Sequence, residues 1–181
     1  EGDITVYASG NGSEASALIE VVNITPVGVL ISEVYYDHPD QDSGYEWIKL
    51  YNGTTQHVIL DGYSLGWGGT DYTYGTLDLS GVIPSGGCFV IGGPISDEVN
   101  GAPIYGQAID LDPDMQNSGN KADGVDLFDV PASQITPTTA PIDAVIYGGN
   151  NDNNLLGPDG TPSEVHVNDV GASNSLLRET V

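Results

Sequence analysis

Aspartate supplies most of the chemistry open to this chain. In DHPDQDSG, Asp37, Asp40 and Asp42 stand two or three residues apart in a Gly-containing turn. Carboxylates spaced this way can converge on a hard cation that takes about six to eight oxygens. In DLDPDMQNSGN, Asp110, Asp112 and Asp114 alternate along the chain. An extended backbone would put all three on one face, where their mutual repulsion asks for a cation or solvent. Asn117, Asn120, Asp123 and Asp126 are placed to complete such a shell. Ca²⁺ is the ion this donor set suits, although the bidentate Glu of an EF-hand loop is missing. The alternative for both runs is a solvated polar loop. A third patch, Asn150 to Asn154 with Asp159, reads as a plain loop.

Other chemistry is sparse. Glu33 and Glu46 fall in neighbouring strand-like runs. Paired carboxylates can share acid and base work in glycoside hydrolysis when suitably separated. His38, His57 and His166 are the only imidazoles, and none adjoins a G-x-S-x-G elbow. With those histidines far apart and a single cysteine, zinc-ligand spacing is absent. Cys88, in the apolar run GGCFVIGG, is expected to be a small core residue rather than a nucleophile. GWGG at 66–69 leads into DYTYG, which is not helical, so it is no phosphate-binding loop. The same stretch carries Trp67, Tyr72 and Tyr74. Exposed, those rings would stack on sugars or anchor a protein partner; otherwise Trp67 covers one end of the core. Trp47, between Glu46 and Ile48, is expected in the core.

The elements that must carry these residues read as strands. No window of a dozen residues shows a helical apolar stripe free of Gly or Pro. Strands are predicted at 4–8, 17–24, 29–36, 45–51, 58–60, 63–67, 76–79, 88–91, 125–128 and 142–147, with a short one at 104–109. Many short strands separated by Gly, Asn and Asp turns argue for an all-β sandwich or barrel. Residues 1–28 look separable: two segments would pair as a hairpin across Gly10–Ser13, most simply as strands added to the main domain of 29–181.

Charge bounds the partners. The 181 residues hold 26 acidic and three basic side chains (Lys49, Lys121 and Arg178), a formal net charge of -23. Such a surface repels phosphate backbones, so nucleic acid is not an expected partner unless cations bridge. High salt or bound Ca²⁺ would offset the self-repulsion. No run approaches the roughly 20 apolar residues of a membrane-spanning helix, and EGDITVYASG lacks the basic and apolar regions of a signal peptide. The chain therefore reads as a mature product or a piece of a longer one.

L-I-S-E-V at 30–34, E-W-I-K-L-Y-N at 46–52 and L-D-G-Y-S-L at 60–65 resemble the lamin-tail domain family. Gln116 to Gly119, Gly124 to Leu127, Ile142 to Gly148 and Ser175 to Arg178 are similar to its second half. The resemblance implies an immunoglobulin-like β-sandwich, here with long acidic loops, and a structural role for Glu33 and Glu46, with bonds from backbone N–H groups. In bacteria it implies a non-catalytic module of secreted or envelope proteins. The expected function is thus extracellular binding of a protein or surface polysaccharide, or spacing, with Ca²⁺ stiffening the loops. The alternatives are a carbohydrate-binding module using the Trp67 loop and a metal-dependent hydrolase using Asp110–Asp126.

Overall fold

The computed structural model describes residues 2–10, 13–21, 28–117 and 120–178, the first two by their backbone pairing alone. β1 (Gly2–Gly10) and β2 (Ser13–Val21) form an antiparallel ribbon, Gly2 opposite Val21 and Gly10 opposite Ser13. It is a sheet of its own. Asn11 and Gly12 at its turn, and the end of the predicted 17–24 strand, lie outside the described residues.

The rest is a two-sheet sandwich. One sheet has five strands in the order β10 (Gln107–Ala108), β9 (Cys88–Gly92), β4 (Trp47–Asn52), β3 (Val29–Tyr35) and β13 (Leu176–Leu177). The other runs β12 (Asp143–Gly148), β11 (Ala122–Phe128), β6 (Ser64–Gly68) and β7 (Gly75–Asp78). A small pair, β5 (Val58–Ile59) with β8 (Val82–Ile83), lies outside both. The only helix among the described residues is one 3₁₀ turn at Ala132–Gln134.

Period-2 alternation builds the core between the sheets. Ile31, Val34, Ile48, Leu50 and Ile91 from the first sheet meet Leu65, Trp67, Val125, Leu127 and Tyr147 from the second in one buried cluster. Ile31 and Val34 are three apart, so strict alternation would turn one of them outward. A bulge between Ile31 and Glu33 resolves this: the register restarts, Glu33 pairs with Lys49, and Val34 returns to the core opposite Ile48.

The second sheet is also covered on its outer face. Tyr72, Ala122, Phe128, Ile135, Ile146 and Leu155 form a second buried cluster there. The Gly66 position on β6 is small for that reason: a Cβ would stand 2.5 Å from the Tyr72 carbonyl oxygen and 3.0 Å from the Phe128 ring. Consequently all of β11 is buried, Asp123 and Asp126 included.

Asp143 closes the seam between the sheets. From β12 it accepts Ile31 N–H of β3 (2.7 Å), and one Arg178 nitrogen, just past β13, donates to both its oxygens (3.0 and 2.9 Å). Charge-assisted bonds of this kind are the stronger ones. Asp143→Ala is expected to cost about 2 kcal/mol by orphaning an amide and a guanidinium. That corresponds to a melting temperature lower by about 4–8 °C for a chain of this size. A thermal melt within a degree of the parent would show that the clamp contributes nothing.

Candidate functional site

The two aspartate runs, far apart in sequence, meet at one end of the sandwich. Residues 36–46 connect β3 to β4, and a strap of residues 110–116 lies beside them. At one end of the contact Asp110 accepts Gly44 N–H (2.7 Å) and Ser43 Oγ–H (3.0 Å). At the other, Glu46 Oε2 accepts Met115 N–H (2.8 Å). The strap keeps the expected alternation. Leu111 and Met115 are buried in the main core, whereas Asp110 and Asp112 are exposed and Asp114 is half-buried. Trp67 Nε1–H donates to Pro113 O (2.7 Å), Tyr147 O–H to Gln116 O (2.7 Å), and Gly69 N–H to Gln116 Oε1 (2.8 Å). These bonds pin the strap across the sandwich.

Glu46 is the unexpected member of this group. Its backbone bond from Met115 matches the structural role expected of it. Yet the residue is only 2 % exposed and its Oε1 has no hydrogen-bond partner. Burial pushes its carboxyl up to about 10. The Met115 N–H opposes that rise, and Asp42, Asp114 and Asp110 add to it. Asp114 is raised by burial and then by Asp110, Asp42 and Asp112. Asp37 is raised by burial and then by Asp42 and Asp169.

Within the 36–46 turn, Asp42 Oδ1 accepts His38 N–H (2.9 Å), while Asp40 is exposed. His38 is buried, stacks on Tyr45 with ring centroids 4.0 Å apart, and accepts the Asp40 and Gln41 amides at Nδ1 (3.3 and 3.4 Å). Its Nε2 lies 4.0 Å from Asp97 Oδ2.

Asp123 and Asp126 do not jointly complete a shell. Three apart on β11, they face opposite sides of the sheet. Asp126 lies on the outer side, fully buried with both carboxylate oxygens lacking a hydrogen-bond partner, and burial holds its carboxyl well above the usual range. The nearby Tyr72 hydroxyl opposes that rise, though its own hydrogen bond goes to Leu156 O (2.8 Å). Asn117 and Asn120 are exposed. Among the described residues no three His, Cys, Asp or Glu side chains are already closed on a common point. The donors expected across Asp110–Asp126 thus lie on the strap and on both faces of β11. The 150–159 patch is a structured loop, as expected: Asn151 bonds Leu155 and Ser163, and Asp159 bonds Thr161.

Trp67 is a core residue, 1 % exposed, and Tyr72 is buried, so only Tyr74 of the three is available to solvent. Trp67 alternates with Leu65 on the inner face of β6 and cannot stack on a ligand. Trp47 is buried as expected, 5 % exposed, but in a separate cluster with Tyr35 and Val90 on the outer face of β4, since Ile48 and Leu50 take the inner one. There it stacks on Tyr35 (5.7 Å, 9° between planes) with Lys49 Nζ 5.2 Å from its ring. Its Nε1–H donates to Asn100 O (2.9 Å).

Cys88, also expected inside, is exposed on that outer face, because Ile91 sets the inward register of β9. The face holds a groove of about 680 Å³ lined by Tyr35, Trp47, Phe89, Tyr105, Ile104 and Lys49, among others. Ile104 is 90 % exposed on it. Glu33, on the same face, forms an ion pair with Lys49 and accepts Ser175 Oγ–H (2.6 Å). Side chains thus take the role expected for backbone amides. No helix of the described residues is long and apolar enough to cross a membrane.

Compared with known proteins, the chain matches no family model, no curated protein and no solved structure.

Proposed function

We propose that this chain is a non-catalytic interaction or spacer module of extracellular or envelope proteins, as its resemblance to lamin-tail domains implies. Its contact surface is the outer face of the five-stranded sheet. One observation carries the reading: the groove over the Tyr35–Trp47 stack, where Tyr105 and the protruding Ile104 present apolar surface beside the Lys49–Glu33 pair. Aromatic and apolar anchors with a polar rim are what recognition surfaces use. Glu33 and Asp143 are engaged in holding the fold: Glu33 with Lys49 and Ser175, Asp143 with Arg178 and Ile31.

The carbohydrate-binding alternative moves to this groove, because its Tyr105 and Phe89 rings are partly exposed whereas Trp67 is buried. The chain has two tryptophans, so Trp67→Phe leaves Trp47 as the only indole reporter. Titrating that variant with a panel of soluble cell-wall and plant oligosaccharides should give a saturable fluorescence change if sugars are the ligand. Tyr105→Ala should abolish it. With a protein partner the sugars leave fluorescence unchanged, and a photo-crosslinking residue at position 104 captures a discrete species in the native envelope. Silence in both arms would reject the surface.

A further inference from the structure

The end of the sandwich where the two aspartate runs meet carries more negative charge than its own hydrogen bonds balance. Residues 42–46 and 110–115 lie side by side, fastened at Asp110 to Gly44 and Ser43 and at Glu46 to Met115. Asp114 precedes the residue that bonds Glu46, and Asp42 precedes the residue that bonds Asp110. Asp42, Asp114 and Asp110 are close enough for their charges to act on the Glu46 carboxyl. Crowding of acids at a surface is by itself ordinary. What sets this place apart is Glu46: 2 % exposed, with Oε1 shielded from solvent and without a hydrogen-bond partner.

A buried carboxylate oxygen with no partner is costly. A proton on the carboxyl removes the charge but brings Oε1 no donor. A cation satisfies the oxygen directly. We infer that Glu46 is the buried anchor of a Ca²⁺ site formed between the 36–46 turn and the 110–116 strap, with Asp42 and Asp114 as its further carboxylate ligands.

Asp110 braces the two segments through Ser43 and Gly44. Asp42 and Asp114 are half-buried, so their side chains have room to swing onto the ion. That movement is required, because no three acidic side chains among the described residues are yet closed on one point. The site suits Ca²⁺, whose shell is irregular and completed by water, better than Mg²⁺, which demands near-octahedral geometry. A chain of net charge -23 also favours taking up a divalent cation. The inference stands apart from the groove on the outer face and does not depend on it.

The test uses the whole chain at pH 7.5, melted in millimolar CaCl₂, in MgCl₂ and in chelator, with equilibrium dialysis against radioactive calcium. Ca²⁺ is expected to raise the melting temperature by about 5 °C or more, Mg²⁺ to raise it far less, and dialysis to count one ion per chain. Glu46→Gln and Asp114→Asn should each lose most of the Ca²⁺-dependent shift, whereas Asp61→Asn, at an exposed turn, should keep it. If Glu46→Gln does not fold, Asp114→Asn alone decides. Identical parent melts in Ca²⁺ and chelator would overturn the inference, and so would a full shift retained by both cluster variants.

Discussion

In chelator, Glu46→Gln is expected to be less stable than the parent at pH 4 and more stable at pH 8. Burial raises the parent carboxyl from 4.5 to about 10, so the folded chain keeps a proton that the unfolded chain releases above pH 4.5. The folded state binds more protons, and stability falls as pH rises. The loss begins near pH 4.5 and continues to about 10. At roughly 1.4 kcal/mol per unit, the parent has lost about 3 kcal/mol by pH 7 from this group alone. The glutamine of the variant is neutral in both states and removes that slope. Its carbonyl can still accept the Met115 N–H, but its amide N–H groups take the place of an oxygen that has no partner. That costs about 1 kcal/mol or more at every pH.

The two stability curves should therefore cross. Asp126, Asp114 and Asp37 are raised too and slope the same way in both proteins. Subtracting the variant's curve from the parent's isolates Glu46. Urea unfolding at pH 4, 6 and 8 measures it, and a flat difference across that range would refute the burial argument.

Trp67→Ala is expected to damage the fold more than the loss of any other aromatic side chain named above. The indole is 1 % exposed in the main core, and Gly75 on β7 packs so close that a Cβ there would stand 2.1 Å from Cε2. Truncating a buried Trp costs about 3–5 kcal/mol. The Pro113 carbonyl loses the indole N–H as well, adding about 1 kcal/mol. The melting temperature should fall by about 10 °C or more. Because Pro113 belongs to the 110–116 strap, hydrogen exchange at Met115 and Gln116 should accelerate in the same variant. Trp47→Ala, which opens only the outer cluster with Tyr35 and Val90, should cost less than half as much. Equal losses from the two truncations would mean that the faces of β4 and β6 are assigned wrongly.

Strand positions are largely legible in the sequence because alternation and turn residues are local signals. The runs at 29–36, 88–91 and 142–147 differ from β3, β9 and β12 by one residue at either end. β8 and β13 are two residues each, too short to show a period, and no pattern marks them as strands. The side chains are harder to place. Cys88 and Trp47 sit in apolar runs that do not say which face is inward. The bulge after Ile31 and the inward register of Ile48 and Ile91 settle that. The separation of Asp123 from Asp126 needs no tertiary information: they are three apart, and a strand through them puts them on opposite faces.

By itself the sequence determined the all-β character, the excess of carboxylates and the alternation that keeps Asp110, Asp112 and Asp114 off the core. These follow from propensity, charge and a two-residue period, which each segment carries alone. Only the tertiary structure decided that the two aspartate runs are neighbours, because 66 residues separate Asp110 from the Gly44 amide it binds. It alone buried Glu46 beside them and put Trp67 and Trp47 into separate buried clusters, one between the sheets and one on the outer face of β4. Which carboxylates share a site, and which rings face water, depends on how sheets stack and loops cross their ends. That is a property of packing between distant segments, and no local pattern encodes it.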